Sequence, residues 1–328
     1  MGRIAATLAA VLTALGAAAA AFAAEGFPPS AVEFRPGSAG TVLVLDASRR
    51  PRLYDFADPA QPKLAATLPA ASAAAFLSAD TIATGHDDGT IRRWTPAGQP
   101  AGAPVKASAK GVEAIVLSRS GRLVGSLDTD HALTLWTPAF ARRAGPLRKA
   151  ETCAFEAEPR VWRIAVRPDD SMAVVSTGCG DLAAWTAQGR PVAVQKPRDA
   201  PLVFSFAFAP DGGTFAAHFR AHPGAYSFIF PVAGGRLGPA RAVPAPLFNT
   251  YAYDIHPARD GGFLFAGEAG IVRVSATGAR GAAIAATGIR RIAISGDGRR
   301  FAVLGESRLV LLDEAGKLLG EVKLPPAQ

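Results

Sequence analysis

The chain has 328 residues, of which 49% are hydrophobic and only 19% are charged, with 34 glycines and 26 prolines. This composition predicts a packed core with many tight turns and excludes an intrinsically disordered protein. Two cysteines are too few for a disulfide-dense mini-protein. The formal net charge is +8, and in an exported protein, which residues 1–23 predict below, such a charge favours acidic proteins, anionic polymers or membrane headgroups over nucleic acid as partners. A compositional preference for Ala, Gly, Pro and Arg would give the same charge without any partner.

The first predicted element is a secretory signal peptide in residues 1–23. Arg3 is followed by an apolar run that ends in small residues, and Ala21 and Ala23 occupy the two positions where cleavage requires small side chains. The alternative is an uncleaved membrane anchor, because the run is nearly long enough to cross a bilayer. We expect residues 24–328 to be one exported domain in the periplasm or outside the cell, with no transmembrane segment after the signal is removed.

A unit of about 43 residues then repeats seven times. Each unit begins with a short apolar strand that leads into a turn, as in VEFRPGS (32–38) and FAFAPDG (206–212), and a second apolar strand follows. The third strand of every unit carries a bulky residue: Tyr54, Trp94, Trp136, Trp185, Phe230, Val274 and Leu312. The pattern predicts an all-β fold, a seven-bladed β-propeller of four-stranded antiparallel blades. Each unit supplies its own four strands, so no exchange of a terminal strand is evident, and packing of blade 1 against blade 7 is one way to close the ring; the sequence leaves the mode of closure open.

Three of these units carry residues that point to a family. Trp94, Trp136 and Trp185 stand at the third-strand tryptophan of the WD40 repeat, and Asp88 and Asp130 stand at its turn aspartate six residues earlier. The chain thus resembles an exported, degenerate WD40-repeat family, with Thr instead of Asp after each tryptophan. The resemblance implies that connections between blades and turns between second and third strands share one face, and that the remaining turns share the other.

The first of these faces is predicted to hold the two cysteines and several polar residues. Cys153 and Cys179 fall at neighbouring positions there, so we expect them to form a disulfide. Residues that could bind a polar ligand on this face are His86, Asp128, His131, Arg220 and His222. Their spacing is not a metal motif, and Asp88 and Asp130 are more simply interpreted as turn residues whose carboxylates accept backbone N–H groups.

The other face is predicted to be rich in arginine. Its candidate partner-binding residues are Arg119, Arg142, Arg143, Arg299 and Arg300. A positive face of this kind would steer an acidic protein into contact, whereas the alternative is an ordinary solvated surface.

Motifs of catalysis do not occur in the sequence. It has no His-Glu-x-x-His metal helix, no Gly-x-Ser-x-Gly nucleophile turn and no phosphate-binding glycine loop. We therefore predict no catalytic residue, cofactor or metal site. The predicted function is a protein–protein interaction scaffold in the periplasm, and the alternatives are a propeller that binds a small ligand or metal, or an enzyme with its site at the central channel.

Overall fold

The computed structural model describes residues 31–150, 163–194, 202–221, 224–244, 247, 252–267, 270–284 and 288–325. The predicted signal peptide lies outside these residues, so it and the domain boundary at residue 24 stay predictions. The described residues form strands and turns without any helix. None of them therefore belongs to a helix that could cross a membrane.

The strands follow the predicted repeat. The strands of blades 1 to 4 are β1 Ala31–Phe34, β2 Thr41–Leu45, β3 Arg52–Asp55, β4 Lys63–Thr67; β5 Ala73–Ser78, β6 Thr81–Gly85, β7 Thr90–Trp94, β8 Val105–Lys106; β9 Val112–Leu117, β10 Val124–Asp128, β11 Leu133–Trp136, β12 Arg142–Leu147; β13 Ile164–Val166, β14 Met172–Ser176, β15 Leu182–Thr186 and β16 Pro191–Val192. The strands of blades 5 to 7 are β17 Leu202–Phe208, β18 Thr214–Ala221, β19 Gly224–Ala233, β20 Arg236–Leu237, β21 Arg241–Ala242; β22 Ala252–Pro257, β23 Phe263–Gly267, β24 Gly270–Val274, β25 Arg280–Ile284; β26 Arg291–Ile294, β27 Arg300–Leu304, β28 Arg308–Asp313 and β29 Leu318–Lys323.

Each blade is a sheet of consecutive antiparallel strands, which confirms the predicted fold class. Blade 5 adds a fifth short strand, because both β20 and β21 pair with β19. No strand is exchanged between blades in the described part of the chain. The turns between first and second strands and between third and fourth strands therefore share one face of the ring, as expected for antiparallel order.

Burial falls from the middle of a blade to its outer edge. Second strands such as Met172–Ser176 and Phe263–Gly267 are buried at every residue, because a neighbouring blade packs on each side. Fourth strands such as Arg280–Ile284 are almost entirely exposed. This gradient explains why the second strands are continuous apolar runs and the fourth strands are mixed.

The hydrophobic core is divided into seven clusters, one between each pair of adjacent blades. The predicted third-strand residues all lie in it, with Trp94 8% exposed and Phe230 fully buried. The cluster between blades 7 and 1 joins Val42 and Phe56 to Leu309. Packing of blade 1 against blade 7 therefore closes the ring, a point that the sequence left open.

The first strands face the central channel, where one edge of each lacks a pairing strand. Polar side chains from the preceding blade occupy several of these edges. Glu33 accepts the backbone N–H of Phe76 at 2.8 Å, and Asp254 accepts that of Ile292 at 3.0 Å. Ser205 donates to the carbonyl of the next blade at 2.8 Å. Capping exposed edges in this way prevents further strand addition and links each blade to the next.

Candidate functional site

Several arginines on the face of the predicted partner-binding residues, called here the arginine face, connect neighbouring blades. Arg35 Nε donates to the carbonyl of Ala79 at 2.6 Å, and Arg300 Nη1 donates to the carbonyl of Ala39 at 3.0 Å. Equivalent contacts join Arg122 to Asp170, Arg167 to Gly212 and Arg259 to Asp297. Arg300 therefore connects blades 7 and 1, a structural role that differs from the partner-binding role predicted from the sequence.

The other four candidate arginines are exposed. Arg119 and Arg299 lie in turns between first and second strands, and Arg142 and Arg143 begin strand β12. The guanidinium carbon of Arg142 lies 5.2 Å from the ring centroid of Trp136, a cation–π distance that fixes its position. None of the four forms a salt bridge with a described residue.

Carboxylates on this face are held in their own turns. Asp297 accepts hydrogen bonds from the Ser295 hydroxyl and from the backbone N–H of Arg299, and these bonds lower the pKa of its carboxyl group. Asp211 accepts the backbone N–H of Gly213 in the same way at 2.8 Å. These carboxylates form turns; neither makes a salt bridge with the four exposed arginines, although the charge of Arg299 also lowers the pKa of Asp297.

On the opposite face, His86 is an internal residue that is only 6% exposed. Its Nε2 lies 2.8 Å from the hydroxyl of Thr84, which also accepts the indole N–H of Trp94 at 2.7 Å. Burial lowers the pKa of His86, so its ring is neutral near pH 7. In blade 3 the same contact recurs between Trp136 and Ser126 at 2.9 Å. Two of the three third-strand tryptophans, Trp94 and Trp136, thus donate to a hydroxyl on the second strand.

Asp128 and His131 also have internal contacts. Asp128 accepts the backbone N–H groups of Asp130 and Ala132 at 3.0 and 2.8 Å, and it is 4% exposed. His131 Nδ1 lies 3.0 Å from the carbonyl oxygen of Ser176, which belongs to blade 4. The structure gives both residues roles in shaping and joining blades.

Of the two predicted turn aspartates, Asp88 accepts a backbone N–H group of its own turn and Asp130 does not. Asp88 accepts the backbone N–H and the hydroxyl of Thr90, and these hydrogen bonds lower its pKa to about 2, which confirms the prediction. For Asp130 the prediction was wrong, because Asp128 accepts the N–H groups of that turn. Asp130 instead forms salt bridges with Arg148 at 3.4 Å and Lys110 at 3.6 Å.

The remaining candidates lie wholly or partly outside the described residues. The side chain of Arg220 and all of His222 and Cys153 belong to this group, so their predicted roles stay predictions. Cys179, in the turn after β14, is disulfide-bonded, while its pairing with Cys153 stays a prediction.

No group of three His, Cys, Asp or Glu side chains within the described ranges is placed to hold a metal ion.

A cavity of about 590 Å³ occupies the end of the central channel that opens on the arginine face. Residues of blades 1, 2, 3, 6 and 7 line it, and its ionisable groups are Glu33, His256 and Arg119. Burial raises the pKa of Glu33 to about 7 and lowers that of His256. Perturbed groups around one cavity are typical of binding sites.

Sequence reasoning missed Glu33 and His256. The available signal was a charged or titratable residue inside an apolar first strand, as in VEFRPGS (32–38) and YDIHPARDG (253–261).

A second ionic group spans the channel towards its other end. Arg163 of blade 4 forms a salt bridge with Asp254 of blade 6 at 2.7 Å, and its guanidinium also donates to the carbonyl of Tyr253. Arg291 donates to the same carbonyl at 3.0 Å, and burial lowers its pKa to about 9. These contacts hold blades 4, 6 and 7 together across the axis.

Comparison with known proteins supports the fold. No protein-family model and no curated protein sequence matches the chain. Among solved structures, it is similar to the computationally designed Ika8 protein, with 14% identity, a TM-score of 0.62, and coverage of 92% of this chain and 89% of that one. It is also similar to the WD40 β-propeller domain of Doa1, with 13% identity, a TM-score of 0.61, and coverage of 84% and 88%. The chain is therefore a seven-bladed β-propeller similar in fold to a WD40 propeller.

Proposed function

We propose that the protein is an exported, degenerate WD40-like scaffold that binds an acidic protein partner in the periplasm through its arginine face. The observation that carries the proposal is the set of exposed arginines that form no salt bridge in the described structure, namely Arg119, Arg142, Arg143 and Arg299. The signal-like sequence of residues 1–23 supports export.

The ring holds these charges in a fixed arrangement. Seven inter-blade cores and the arginine contacts between blades make the scaffold rigid, so little conformational entropy is lost when a partner binds. Arg142 is further held by its contact with Trp136. Unpaired guanidiniums attract carboxylates over a distance and increase the association rate with an acidic surface.

The experiment is an affinity capture from periplasmic extract, with bound proteins identified by mass spectrometry at low and moderate salt. Wild type is compared with a charge-reversed triple variant, Arg142→Glu, Arg143→Glu and Arg299→Glu. Arg50→Glu is the matched control, because Arg50 is also exposed but lies in a turn on the opposite face.

We expect a stoichiometric acidic partner that is lost at higher salt and in the triple variant but retained by the control. Equal capture by wild type and triple variant, or no partner at either salt, would contradict the proposal.

A second candidate function, binding of a small ligand in the channel, is favoured by the cavity lined by Glu33, His256 and Arg119.

A further inference from the structure

The cavity at the arginine-face end of the channel contains two groups of opposite charge that do not pair with each other. Glu33 comes from strand β1 of blade 1, and Arg119 comes from the turn after β9 of blade 3. Neither forms a salt bridge with any residue that the structure describes. A ligand that carries both charges could bridge the space between them.

No described residue forms a salt bridge with Glu33. Its Oε2 accepts the backbone N–H of Phe76 at 2.8 Å; burial raises the pKa of the carboxyl group, and this hydrogen bond lowers it by less. A desolvated carboxylate without a counter-ion is unfavourable, and an ammonium group placed beside it would compensate its charge.

His256 provides a second acceptor in the lining of the same cavity. Its Nδ1 lies 3.3 Å from the carbonyl oxygen of Pro257, and a carbonyl only accepts, so Nδ1 carries the proton. Burial lowers the pKa of His256 and is the largest effect, Asp254 and the hydrogen bond with Pro257 raise it by less, and the nearby Arg119 lowers it slightly further. The ring is therefore neutral near pH 7, with Nε2 as a hydrogen-bond acceptor.

Arg119 provides the donor end of the cavity. It is exposed at the rim, and its guanidinium can donate to a carboxylate through two parallel hydrogen bonds. Between the two ends, half-buried Phe34, Leu117 and Ile294 form apolar walls.

We propose that this cavity binds a small zwitterion with an apolar body, an amino acid whose ammonium group pairs with Glu33 and whose carboxylate pairs with Arg119. The apolar part of the ligand packs against Phe34, Leu117 and Ile294. The cavity volume of about 590 Å³ lies in the range of small-molecule sites. The proposal rests on the second candidate function above, ligand binding in the channel, and is independent of the scaffold function, since it needs no protein partner.

Isothermal titration calorimetry on the purified full chain tests it with four probes. L-leucine and ε-aminocaproate are zwitterions whose charges are close together and far apart, respectively, and they identify which separation the cavity accepts. Isoamylamine and isocaproate each keep the leucine-like body and one charge. We expect at least one zwitterion to bind, and both single-charge probes to bind about tenfold more weakly or not at all.

Substitutions then identify the two ends of the site. Glu33→Gln keeps a carbonyl oxygen for the Phe76 N–H and so preserves the fold, while Arg119→Gln changes an exposed side chain. We expect each to weaken zwitterion binding about tenfold, whereas Arg50→Gln on the opposite face leaves it unchanged. Thermal melts of all variants verify folding.

Three results would overturn the proposal. The first is no heat from either zwitterion at millimolar concentration. The second is equally strong binding of isoamylamine or isocaproate, which would make one of the two charges irrelevant. The third is wild-type affinity in both Glu33→Gln and Arg119→Gln.

Discussion

At the residue scale, the hydroxyl of Thr84 stabilises blade 2 because it connects two buried polar rings. It accepts the indole N–H of Trp94 and contacts Nε2 of His86. Thr84→Val removes both contacts and leaves a buried N–H without an acceptor, so we expect the free energy of unfolding to fall by about 2 kcal/mol. Urea denaturation measures the change. Thr81→Val, at the start of the same strand, should stay within about 0.5 kcal/mol of wild type, and equal losses in both variants would contradict this role.

A second residue-scale prediction concerns the pH dependence of stability. Burial raises the pKa of Glu33 from 4.5 to about 7, so the folded protein binds this proton more tightly than the unfolded chain. The resulting stabilisation is present below pH 4.5 and is lost as pH rises through about 7. We expect the stability of wild type relative to Glu33→Gln to decline across this range in urea titrations. A constant difference between the two proteins would show that the Glu33 pKa is ordinary.

At the scale of the element, a matched pair of arginines lies where the turn after β26 leads into β27, with Arg299 in the turn and Arg300 at the start of the strand. Arg300 Nη1 donates to the carbonyl of Ala39 in blade 1 at 3.0 Å, whereas Arg299 is exposed and forms no salt bridge among the described residues. We expect Arg300→Met to lower the free energy of unfolding by about 1 kcal/mol, because a charged hydrogen bond between blades is lost. Arg299→Met should be nearly neutral in the same denaturation experiment. Destabilisation by Arg299→Met instead would reverse the assignment of their roles.

This pair also shows what the sequence could and could not predict. Strand spacing and third-strand residues such as Trp94 and Leu312 predicted seven blades correctly, since these positions must be buried in any ring of packed sheets. The direction of a side chain leaving a turn depends on the next blade, so Arg299 and Arg300 look alike in the sequence. Glu33 was missed for the same reason, because its contact with Phe76 exists only after the ring has formed.

At the scale of the whole molecule, the ring depends on close packing where its last blade meets its first. Gly320 in β29 lies against blade 1, and a Cβ atom there would come within 2.0 Å of the carbonyl oxygen of Pro59. Gly281 in β25 of blade 6 is the matched control, because the nearest atoms to its Cβ position are at an ordinary 3.5 Å. We expect Gly320→Ala to separate blades 7 and 1 and to lower the free energy of unfolding by about 2 kcal/mol, while Gly281→Ala has little effect.

Amide hydrogen exchange shows which blades of the ring lose stability in Gly320→Ala. If closure depends on this interface, amide protection should fall first in β1–β4 and β26–β29, the strands of the two blades that lose contact. Blades 3 to 5 lie on the far side of the ring and keep their own inter-blade cores, so their protection should change least. A uniform loss of protection would show instead that the seven blades open as one cooperative unit, and unchanged protection would show that packing at Gly320 does not hold the ring closed.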